Sequence, residues 1–276
     1  MPCAIVTGSN GGFGQVIVEQ LLEMEYEVIA GVRNIERANV LVDKSEKLGK
    51  REWLHVFELD VTDSQHIEGL KDYIQSKEKT VDVLINNAGY CQGGIVETLS
   101  EEEWRNQFDV NFFGTVSLTT ALLPIFRRQR YGSIINMSSV SGNIGLPGMS
   151  AYAGSKFALE GFSESLRYEM LPFQVYVSLI EPSSYKTGIW EKALQHIKQT
   201  STDYERLVEN LKKEARQSAA DSGDPHEVTV LLKTILQAKT PKLRYPLGKT
   251  AKQIHRWKHL LPNRWLDKKI IKRVNR

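Results

Sequence analysis

Seven short apolar runs recur along the chain, and amphipathic segments of helical length separate most of them. Most runs are continuously apolar rather than alternating, which is typical of strands in a parallel sheet that is covered on both faces. This alternation of strands and helices predicts a doubly wound α/β fold with right-handed crossovers. The predicted strands are residues 3–7, 27–32, 53–59, 81–87, 133–138, 174–182 and 242–247, and the predicted helices are residues 12–25, 36–48, 64–77, 101–128 and 150–171.

Local signals add detail to this pattern. Ser100 and Glu103 have the spacing of a capping box, and Asp224-Pro225 fits an N-cap followed by proline at the first helical position. A polar helical excursion, about residues 185–223, lies between the sixth and seventh predicted strands. Because ligands in open α/β sheets bind beyond the carboxyl ends of the strands, we expect this excursion to form a lid over a substrate crevice.

The composition indicates an ordinary folded protein. The chain has 276 residues, of which 41% are hydrophobic and 25% are charged. Its net charge of +3 is too small to indicate nucleic-acid binding. Cys3 and Cys91 are expected to be free thiols in a reducing compartment, and no metal-ligand cluster is predicted. Since no signal peptide and no run of roughly 18 apolar residues is evident, we expect a cytoplasmic protein.

A glycine-rich turn lies between the first predicted strand and the first predicted helix. Backbone N–H groups in such a turn can approach a pyrophosphate, which the helix N-terminus then stabilises. The turn is not directly followed by a lysine and a serine or threonine, and this absence disfavours nucleotide hydrolysis. We therefore predict a dinucleotide site, with a simple tight turn as the alternative. Its residues are Gly8, Ser9, Asn10, Gly11, Gly12, Phe13 and Gly14.

Arg33 follows the second predicted strand, where an NAD site usually presents an acid to the adenosine ribose. A guanidinium fits a 2′-phosphate bidentately, so NADP is the preferred cofactor and NAD is the alternative. The competing interpretation is a surface arginine paired with Glu36 or Glu58.

Tyr152 and Lys156 are separated by one helical turn and follow a predicted strand that leads to Ser139. The same Tyr–Lys spacing begins at Tyr73 and at Tyr245, but the first reads as a solvated helix end and the second as a strand end and turn. A serine hydroxyl, a phenol and an ammonium together suit proton transfer to or from a substrate oxygen.

In this order and spacing, the motifs resemble the classical type of the short-chain dehydrogenase/reductase family. The Glu181-Pro182 pair and the tail pattern RYPLGK…LLPNRWLDK look most like its hydroxysteroid and retinol dehydrogenase-like branch. The resemblance is dense over about residues 1–190 and implies a single domain with a Rossmann-type doubly wound parallel sheet. The matching elements are the glycine-rich turn, Asp60-Val61, the NNAG sequence at 86–89, Asn111, Ser139 and the YAGSK sequence at 152–156.

The resemblance implies four catalytic residues. Tyr152 would be the general acid/base, and the charges of Lys156 and the nicotinamide would lower its pKa. Lys156 would also hold the nicotinamide ribose. Ser139 would donate a hydrogen bond to the substrate oxygen, and Asn111 would hold a water that links Lys156 to solvent.

The resemblance also assigns residues to the adenosine half of the cofactor. Asp60 and Val61 would contact the adenine, although a turn role for Asp60 stays open. Asn87, Ala88 and Gly89 would lie beside the adenosine ribose. The preceding Asn86 is assigned either to this site or to a structural link between strand ends.

At the other end of the cofactor, Pro182 and Thr187 would lie in the nicotinamide loop, where Thr187 would reach the carboxamide. Ser183 stands where the family usually has glycine, and it would be strained if the position required a positive φ.

The expected reaction is the NAD(P)-dependent interconversion of a secondary alcohol and a ketone, with a non-catalytic nucleotide sensor or scaffold as the alternative. Ser139 and Tyr152 would contact the substrate oxygen. Mostly apolar side chains would line the pocket and favour a lipophilic substrate, unless they simply pack the lid on the body. These side chains are Ile144, Leu146, Met149, Tyr185, Ile189 and Trp190.

Residues 249–276 form a basic amphipathic extension to the predicted catalytic domain, residues 1–248. Such a segment can pack on the body, join an oligomer interface or make peripheral contact with an anionic membrane. Packing is the favoured interpretation, because apolar stripes at helical spacing most often belong to a core. We expect a homodimer or a homotetramer.

Overall fold

The computed structural model describes residues 1–197, 202–257, 264, 267, 268, 270 and 271. Seven strands in this part of the chain form one parallel sheet. In chain order they are β1 Cys3–Val6, β2 Glu27–Val32, β3 Leu54–Glu58, β4 Val83–Asn86, β5 Gly132–Met137, β6 Val175–Pro182 and β7 Arg244–Leu247. Across the sheet the order is β3-β2-β1-β4-β5-β6-β7, so the winding reverses between β1 and β4. The predicted strands and the doubly wound Rossmann-type sheet are confirmed.

Helices connect the strands and cover both faces of the sheet. A five-residue π-helix, Asp109–Phe113, interrupts the helix that was predicted over residues 101–128. The α-helices of the described residues are α1 Gly12–Glu23, α2 Asn39–Lys47, α3 Ser64–Ser76, α4 Glu101–Phe108, α5 Gly114–Gln129, α6 Ser150–Met170, α7 Ile189–His196, α8 Glu205–Ala220, α9 Glu227–Gln237 and α10 Lys249–Trp257.

Of the two capping signals in the sequence, one is confirmed and the other is wrong. Ser100 and Glu103 form a reciprocal capping box at the start of α4. The last predicted start, at Pro225, lies two residues too early, since α9 begins at Glu227. The reason is local: the Asp224 carboxylate accepts a hydrogen bond from the backbone N–H of His226 at 2.9 Å, and the resulting turn contains Pro225.

Two apolar clusters cover the two faces of the sheet. Successive strand residues point to opposite faces. Accordingly, Ala4 and Val6 belong to the cluster that includes α1 and α9 side chains, whereas Ile5 belongs to the cluster that includes α3, α5 and α6 side chains. Burial on both faces explains the continuously apolar strand sequences.

Contrary to the sequence expectation, one helical segment, Glu101–Gln129, is long and apolar enough to cross a membrane by length and composition, with a mean hydropathy of 1.3 in its 18-residue window. Within it, Leu118, Leu122 and Phe126 are fully buried in the cluster against the sheet. Serine, threonine and glycine are interspersed among its apolar residues, so a search for an unbroken apolar run misses it. These three side chains are core contacts of this fold, whereas Phe113 is exposed.

The excursion after β6 is helical, as predicted, and its two ends are joined. Tyr185 and Gly223 form an isolated parallel bridge. The backbone N–H of Lys186 donates to the Gly223 carbonyl, and the Gly223 N–H donates to the Ser184 carbonyl, each at 3.0 Å. Helices α7 and α8 lie between these ends, so the excursion is a helical loop closed at its base.

Candidate active site

The structure brings Ser139, Tyr152 and Lys156 together at the carboxyl end of β5. Helix α6 carries Tyr152 and Lys156 on one face, and the Lys156 Nζ lies 5.8 Å from the centroid of the Tyr152 ring. Ser139 directly follows Ser138 at the end of β5 and hydrogen-bonds to the Tyr152 phenol. All three side chains are buried. The arrangement places two hydroxyls and an ammonium where they can exchange a proton with one substrate oxygen.

Lys156 is held by the backbone of β5. Its Nζ donates a hydrogen bond of 2.7 Å to the carbonyl of Met137. Burial lowers the pKa of Lys156 to about 8, against an opposing effect of the Glu160 carboxylate and a smaller one of Cys91. The lysine is therefore poised to titrate near physiological pH.

The pKa of Tyr152 departs from the expectation that Lys156 would lower it. Burial raises the pKa of the phenol, the Cys91 thiol acts in the same direction, and the hydrogen bond with Ser139 opposes both. Burial disfavours both charged forms, the phenolate and the ammonium, so the chain's own groups keep the phenol protonated. Of the neighbouring groups, Ser139 acts to lower the pKa of Tyr152, and its effect is smaller than that of burial.

Asn111 lies in the π-helix and is buried. Its side-chain amide donates to the Tyr90 carbonyl at 2.9 Å and to Ser155 Oγ at 3.2 Å, and its Oδ1 accepts from the Tyr90 N–H at 3.0 Å. A Cβ on Gly89 would lie 3.1 Å from Asn111 Oδ1 and 3.7 Å from Lys156 Nζ. Glycine at position 89 therefore leaves room for the Asn111 and Lys156 side chains. Short π-helical segments such as the one that carries Asn111 are frequent at functional sites.

The glycine-rich turn is tightly folded. Gly8 has a φ of 63°, and a Cβ on Gly14 would lie 2.3 Å from the Gly8 carbonyl oxygen. A Cβ on Gly12 would lie 2.6 Å from Thr187 Cα, so the loop after β6 lies directly over this turn. Among the described residues, Asn10 Oδ1 is buried without a hydrogen-bond partner. A backbone cradle without side chains, at the N-terminus of α1, fits a bound pyrophosphate.

Ser9 and Asn87 brace the glycine-rich turn from inside. Ser9 is fully buried, and its hydroxyl donates to the Val6 carbonyl at 2.9 Å. The Asn87 amide donates to the carbonyls of Thr7 and Gly8 at 2.9 and 3.0 Å. Both side chains therefore shape the turn.

The structural interpretation holds for Asn86. Its amide donates to Thr119 Oγ1 at 3.0 Å and to Asn136 Oδ1 at 2.8 Å, which ties β4 to α5 and β5. Two residues later, the backbone N–H of Ala88 donates to Thr7 Oγ1 at 2.9 Å. Asn86 thus fixes the strand ends from which Asn87, Ala88 and Gly89 extend.

Arg33 is exposed after β2 and near Asp60. Within the described residues it forms no ion pair with Glu36 or Glu58, so the competing interpretation of Arg33 gains no support. Burial opposes the shift, but hydrogen bonds from Thr62 and the charge of Arg33 hold the pKa of Asp60 below its ordinary value. Asp60 therefore has the turn role that the sequence left open, and Val61 packs on Gly114 of α5.

The expected strain at Ser183 is absent. Its φ is not positive, and its backbone N–H donates to the Leu247 carbonyl at 3.0 Å. The glycine that this loop requires is Gly248, with a φ of 90°, where a Cβ would lie 2.3 Å from Ser183 Oγ. The serine hydroxyl thus occupies space that the neighbouring turn leaves free. Pro182 is buried at the end of β6.

The predicted substrate residues separate into two groups. Met149 and Ile189 pack against the buried cluster of Cys91, Tyr152 and Ala193, so they lie beside the catalytic candidates. Leu146 and Ile144 are half-buried in the preceding loop.

Tyr185 does not lie in this group, and its assignment to the substrate pocket is not supported. It is buried in the core cluster that includes α1 and α9 side chains, 5.4 Å from Phe13 between ring centroids. Its hydroxyl donates to Glu227 Oε2 at 2.8 Å. Burial and the contact with Glu227 raise the pKa of this phenol. Tyr185 packs with residues of α1 and α9, because burying its large aromatic ring in the core removes apolar surface from water.

Sequence reasoning missed two residues. Cys91 was assigned only as a free thiol, yet it contacts the Tyr152 cluster, and burial raises its pKa to about 12. Glu160 was not singled out, yet the charge of its carboxylate acts on Lys156. The available signal was its position one helical turn after Lys156. No group of three or more potential metal ligands occurs among the residues that the structure describes.

Relatives extend this picture. The chain is 39% identical over 263 residues to "Uncharacterized oxidoreductase YusZ" of Bacillus subtilis, covering 94% of this chain and 93% of that protein. It is 34% identical to the 3-ketodihydrosphingosine reductase of Bacteroides thetaiotaomicron, covering 88% and 87%. It is 38% identical over 197 residues to retinol dehydrogenase 8 of Bos taurus, covering 70% of this chain and 62% of that protein.

Solved structures share the fold. A short-chain dehydrogenase from Streptomyces avermitilis matches with a TM-score of 0.79 and 30% identity, covering 94% of this chain and 96% of that one. A more distant neighbour from Burkholderia phymatum was solved with NAD and matches with a TM-score of 0.79 and 21% identity, covering 94% of each chain. A metagenomic short-chain oxidoreductase was solved with NADP and matches with a TM-score of 0.71 and 22% identity, covering 90% of this chain and 98% of that one. A family model described as short chain dehydrogenase matches residues 2–198. With this match, these relatives and the site geometry, the chain belongs to the short-chain dehydrogenase family and is an oxidoreductase acting on alcohol or ketone groups.

Proposed function

We propose that this protein is an NADP-preferring oxidoreductase that interconverts a secondary alcohol and a ketone on a lipophilic substrate. The observation that carries the proposal is the buried grouping of Ser139, Tyr152 and Lys156, with Asn111 and the glycine-rich turn at the same edge of the sheet. When bound, the nicotinamide would supply or accept the hydride. The chain supplies orientation and proton transfer.

Each residue has a step that its position allows. Tyr152 gives its phenolic proton to the substrate oxygen during reduction and takes it back during oxidation. Ser139, which hydrogen-bonds to the phenol when no substrate is present, redirects its single hydroxyl proton to the same substrate oxygen and stabilises its developing charge. Lys156 returns a proton toward Tyr152, and Asn111 holds the water that connects Lys156 to solvent.

The residues that hold the cofactor follow the edge of the sheet. The backbone N–H groups of the glycine-rich turn cradle the pyrophosphate, and Asn10 Oδ1 is free to accept a hydrogen bond from a water at the site. The loop residues Pro182 and Thr187 hold the nicotinamide end. Arg33, exposed at the adenosine end and near Asp60, binds the 2′-phosphate of NADP.

A lipophilic substrate is supported by the apolar surroundings of Tyr152. Met149 and Ile189 pack against the cluster around the phenol, and α7 places Ala193 there as well. The related proteins named for 3-ketodihydrosphingosine and retinol act on apolar compounds by name. We therefore assign a long-chain ketone or alcohol as the substrate class.

Turnover of a ketone panel, followed by loss of NADPH absorbance, tests the proposal. Wild type is expected to reduce long-chain ketones, and Tyr152→Phe is expected to lower kcat by about 10²–10⁴-fold, because that is the usual contribution of a positioned acid/base. Tyr73→Phe is the matched control, since Tyr73 also precedes a lysine by four residues but lies on α3. Equal rates for wild type and Tyr152→Phe would disprove the catalytic assignment. Turnover restricted to small polar ketones would disprove the substrate class.

A further inference from the structure

Glu160 is a buried carboxylate that the steps above do not use. It lies one helical turn beyond Lys156 on α6 and is 6% exposed. Its Oε1 accepts a hydrogen bond from Ser138 Oγ at 2.5 Å, and its Oε2 accepts one from Arg244 Nε at 2.9 Å. Both carboxylate oxygens thus have strong partners, which burial of a charge requires.

Ser138 connects this carboxylate to the catalytic residues. It lies between Met137, whose carbonyl accepts from Lys156, and Ser139, which hydrogen-bonds to Tyr152. A Cβ on Gly142 would lie 2.9 Å from Ser138 Oγ and 3.0 Å from Glu160 Cγ, so the turn after Ser139 closes directly over the pair. A displacement of the Glu160 side chain would therefore displace Ser138 and, through the backbone, Met137 and Ser139.

Charge provides a second connection. Burial of Lys156 disfavours its ammonium, and Glu160 is the strongest group acting in the opposite direction, with Cys91 next. The other ionisable group close to Lys156 is Tyr152. Removing the negative charge at position 160 would therefore leave the buried ammonium with less stabilisation.

The charged groups that surround Glu160 itself form a defined network. Arg244 also pairs with Glu164 at 2.8 Å and lies 3.6 Å from Glu181, and Glu181 pairs with His255 of α10 at 3.2 Å. Burial and Glu181 raise the pKa of Glu160, whereas Ser138 and Arg244 oppose this. Strands β6 and β7 and helix α10 thus contribute to the environment of one carboxylate.

We propose that Glu160 is a positioning residue for the reaction: through Ser138 it orients Ser139 and Lys156, and through its charge it keeps Lys156 protonated. The inference rests on the proposed function for its catalytic readout. NADPH binding provides a second readout that needs no substrate.

The test compares Glu160→Gln with Glu164→Gln, each of which removes one carboxylate partner of Arg244. NADPH binding and kcat/KM are measured from about pH 6 to about pH 10, a range that spans lysine titration. Both profiles are expected to have an alkaline limb, the fall in binding and in kcat/KM at high pH. In Glu160→Gln this limb is expected to move to lower pH and kcat to fall about tenfold or more, because the Lys156 ammonium loses its proton at a lower pH. Glu164→Gln is expected to leave the limb in place, and Glu160→Asp to restore it toward wild type. An unmoved limb in Glu160→Gln overturns the electrostatic part.

Ser138→Ala separates orientation from charge and serves if Glu160→Gln fails to fold. It loses the hydrogen bond but keeps the carboxylate, so kcat should fall at nearly constant KM while the alkaline limb stays at its wild-type pH. A wild-type kcat in Ser138→Ala overturns the positioning part. If wild type reduces no ketone, the proposed function fails, whereas the pH profile of NADPH binding still decides the role of Glu160.

Discussion

At the residue scale, burial determines the pKa values of the site residues as much as the type of side chain does. Tyr152–Lys156 is one of three such spacings in the chain, and only this pair is buried beside a strand end that carries a serine. Burial then sets the proton affinities: it lowers the pKa of Lys156 to about 8 and raises that of Tyr152. The sequence identified the pair, but the direction of the Tyr152 shift required the packed environment.

The predicted preference for NADP over NAD depends on one residue, Arg33. Arg33→Ala should raise the KM for NADPH about tenfold or more and leave the KM for NADH nearly unchanged, because a hydrogen bond to a charged group contributes about 1.5–3 kcal/mol. Initial rates with both cofactors measure this. Arg128→Ala, which removes an exposed arginine from α5, is the control. Equal changes in both KM values, or a clear wild-type preference for NADH, would contradict the assignment.

At the scale of elements, the close approach of backbone segments determines the site. The turn between β1 and α1 folds on itself at Gly14 and meets the loop after β6 at Gly12. The excursion after β6 is joined at Tyr185 and Gly223, and the π-helix between α4 and α5 carries Asn111. The glycine positions were visible in the sequence. The partner of each close approach was not, since Gly12 and Thr187 are far apart along the chain.

A pair of glycine substitutions tests this packing. Gly14→Ala should lower the free energy of unfolding by about 1–3 kcal/mol, because the added Cβ would lie 2.3 Å from the Gly8 carbonyl oxygen. Gly69→Ala, in α3 with open space around its Cβ position, should raise it by about 0.5–1 kcal/mol. Urea unfolding of both variants and wild type measures the difference. Equal effects of the two substitutions would show that the turn can relax.

At the scale of the whole molecule, α6, β6, β7 and α10 meet in one network of charges, in which Glu160 and Glu181 are buried and Glu164 and His255 are partly exposed. Arg244 of β7 pairs with Glu160 and Glu164 of α6, and His255 of α10 pairs with Glu181 at the end of β6. Helix α10 therefore contacts the body through His255, whereas Trp257 and Ile271 of the apolar stripe are exposed, so packing of the stripe stays a prediction. Most of the remaining tail, including Trp265 and Leu266, lies outside the described residues. Membrane contact, a homodimer or homotetramer, the division into residues 1–248 and 249–276, and a cytoplasmic location stay predictions.

The buried lysine makes stability depend on pH. Below about pH 8 Lys156 is protonated in both the folded and the unfolded state, and the cost of burying its charge is fully present. Between about 8 and its ordinary value of 10.5 the folded state loses the proton first, so stability from this group rises with pH. The stability advantage of Lys156→Met over wild type should therefore shrink across this window, by on the order of 3 kcal/mol.

Urea unfolding at pH 7 and near pH 10 measures that difference. Lys77→Met, at the exposed end of α3, is the control because it removes no buried charge. A difference between Lys156→Met and wild type that stays constant with pH would contradict the prediction.

The sequence by itself determined the elements and the candidates, because hydrophobic periodicity and turn chemistry act over a few neighbouring residues. It was sufficient for the seven strands, the capping box at Ser100, the glycine-rich turn and the grouping of Ser139, Tyr152 and Lys156. Only the tertiary structure decided that Tyr185 packs on Phe13 instead of lining the pocket, that Gly248 accommodates Ser183, and that Arg244 meets Glu160. These contacts join residues far apart in the chain, and they depend on which faces pack together, which no local pattern encodes.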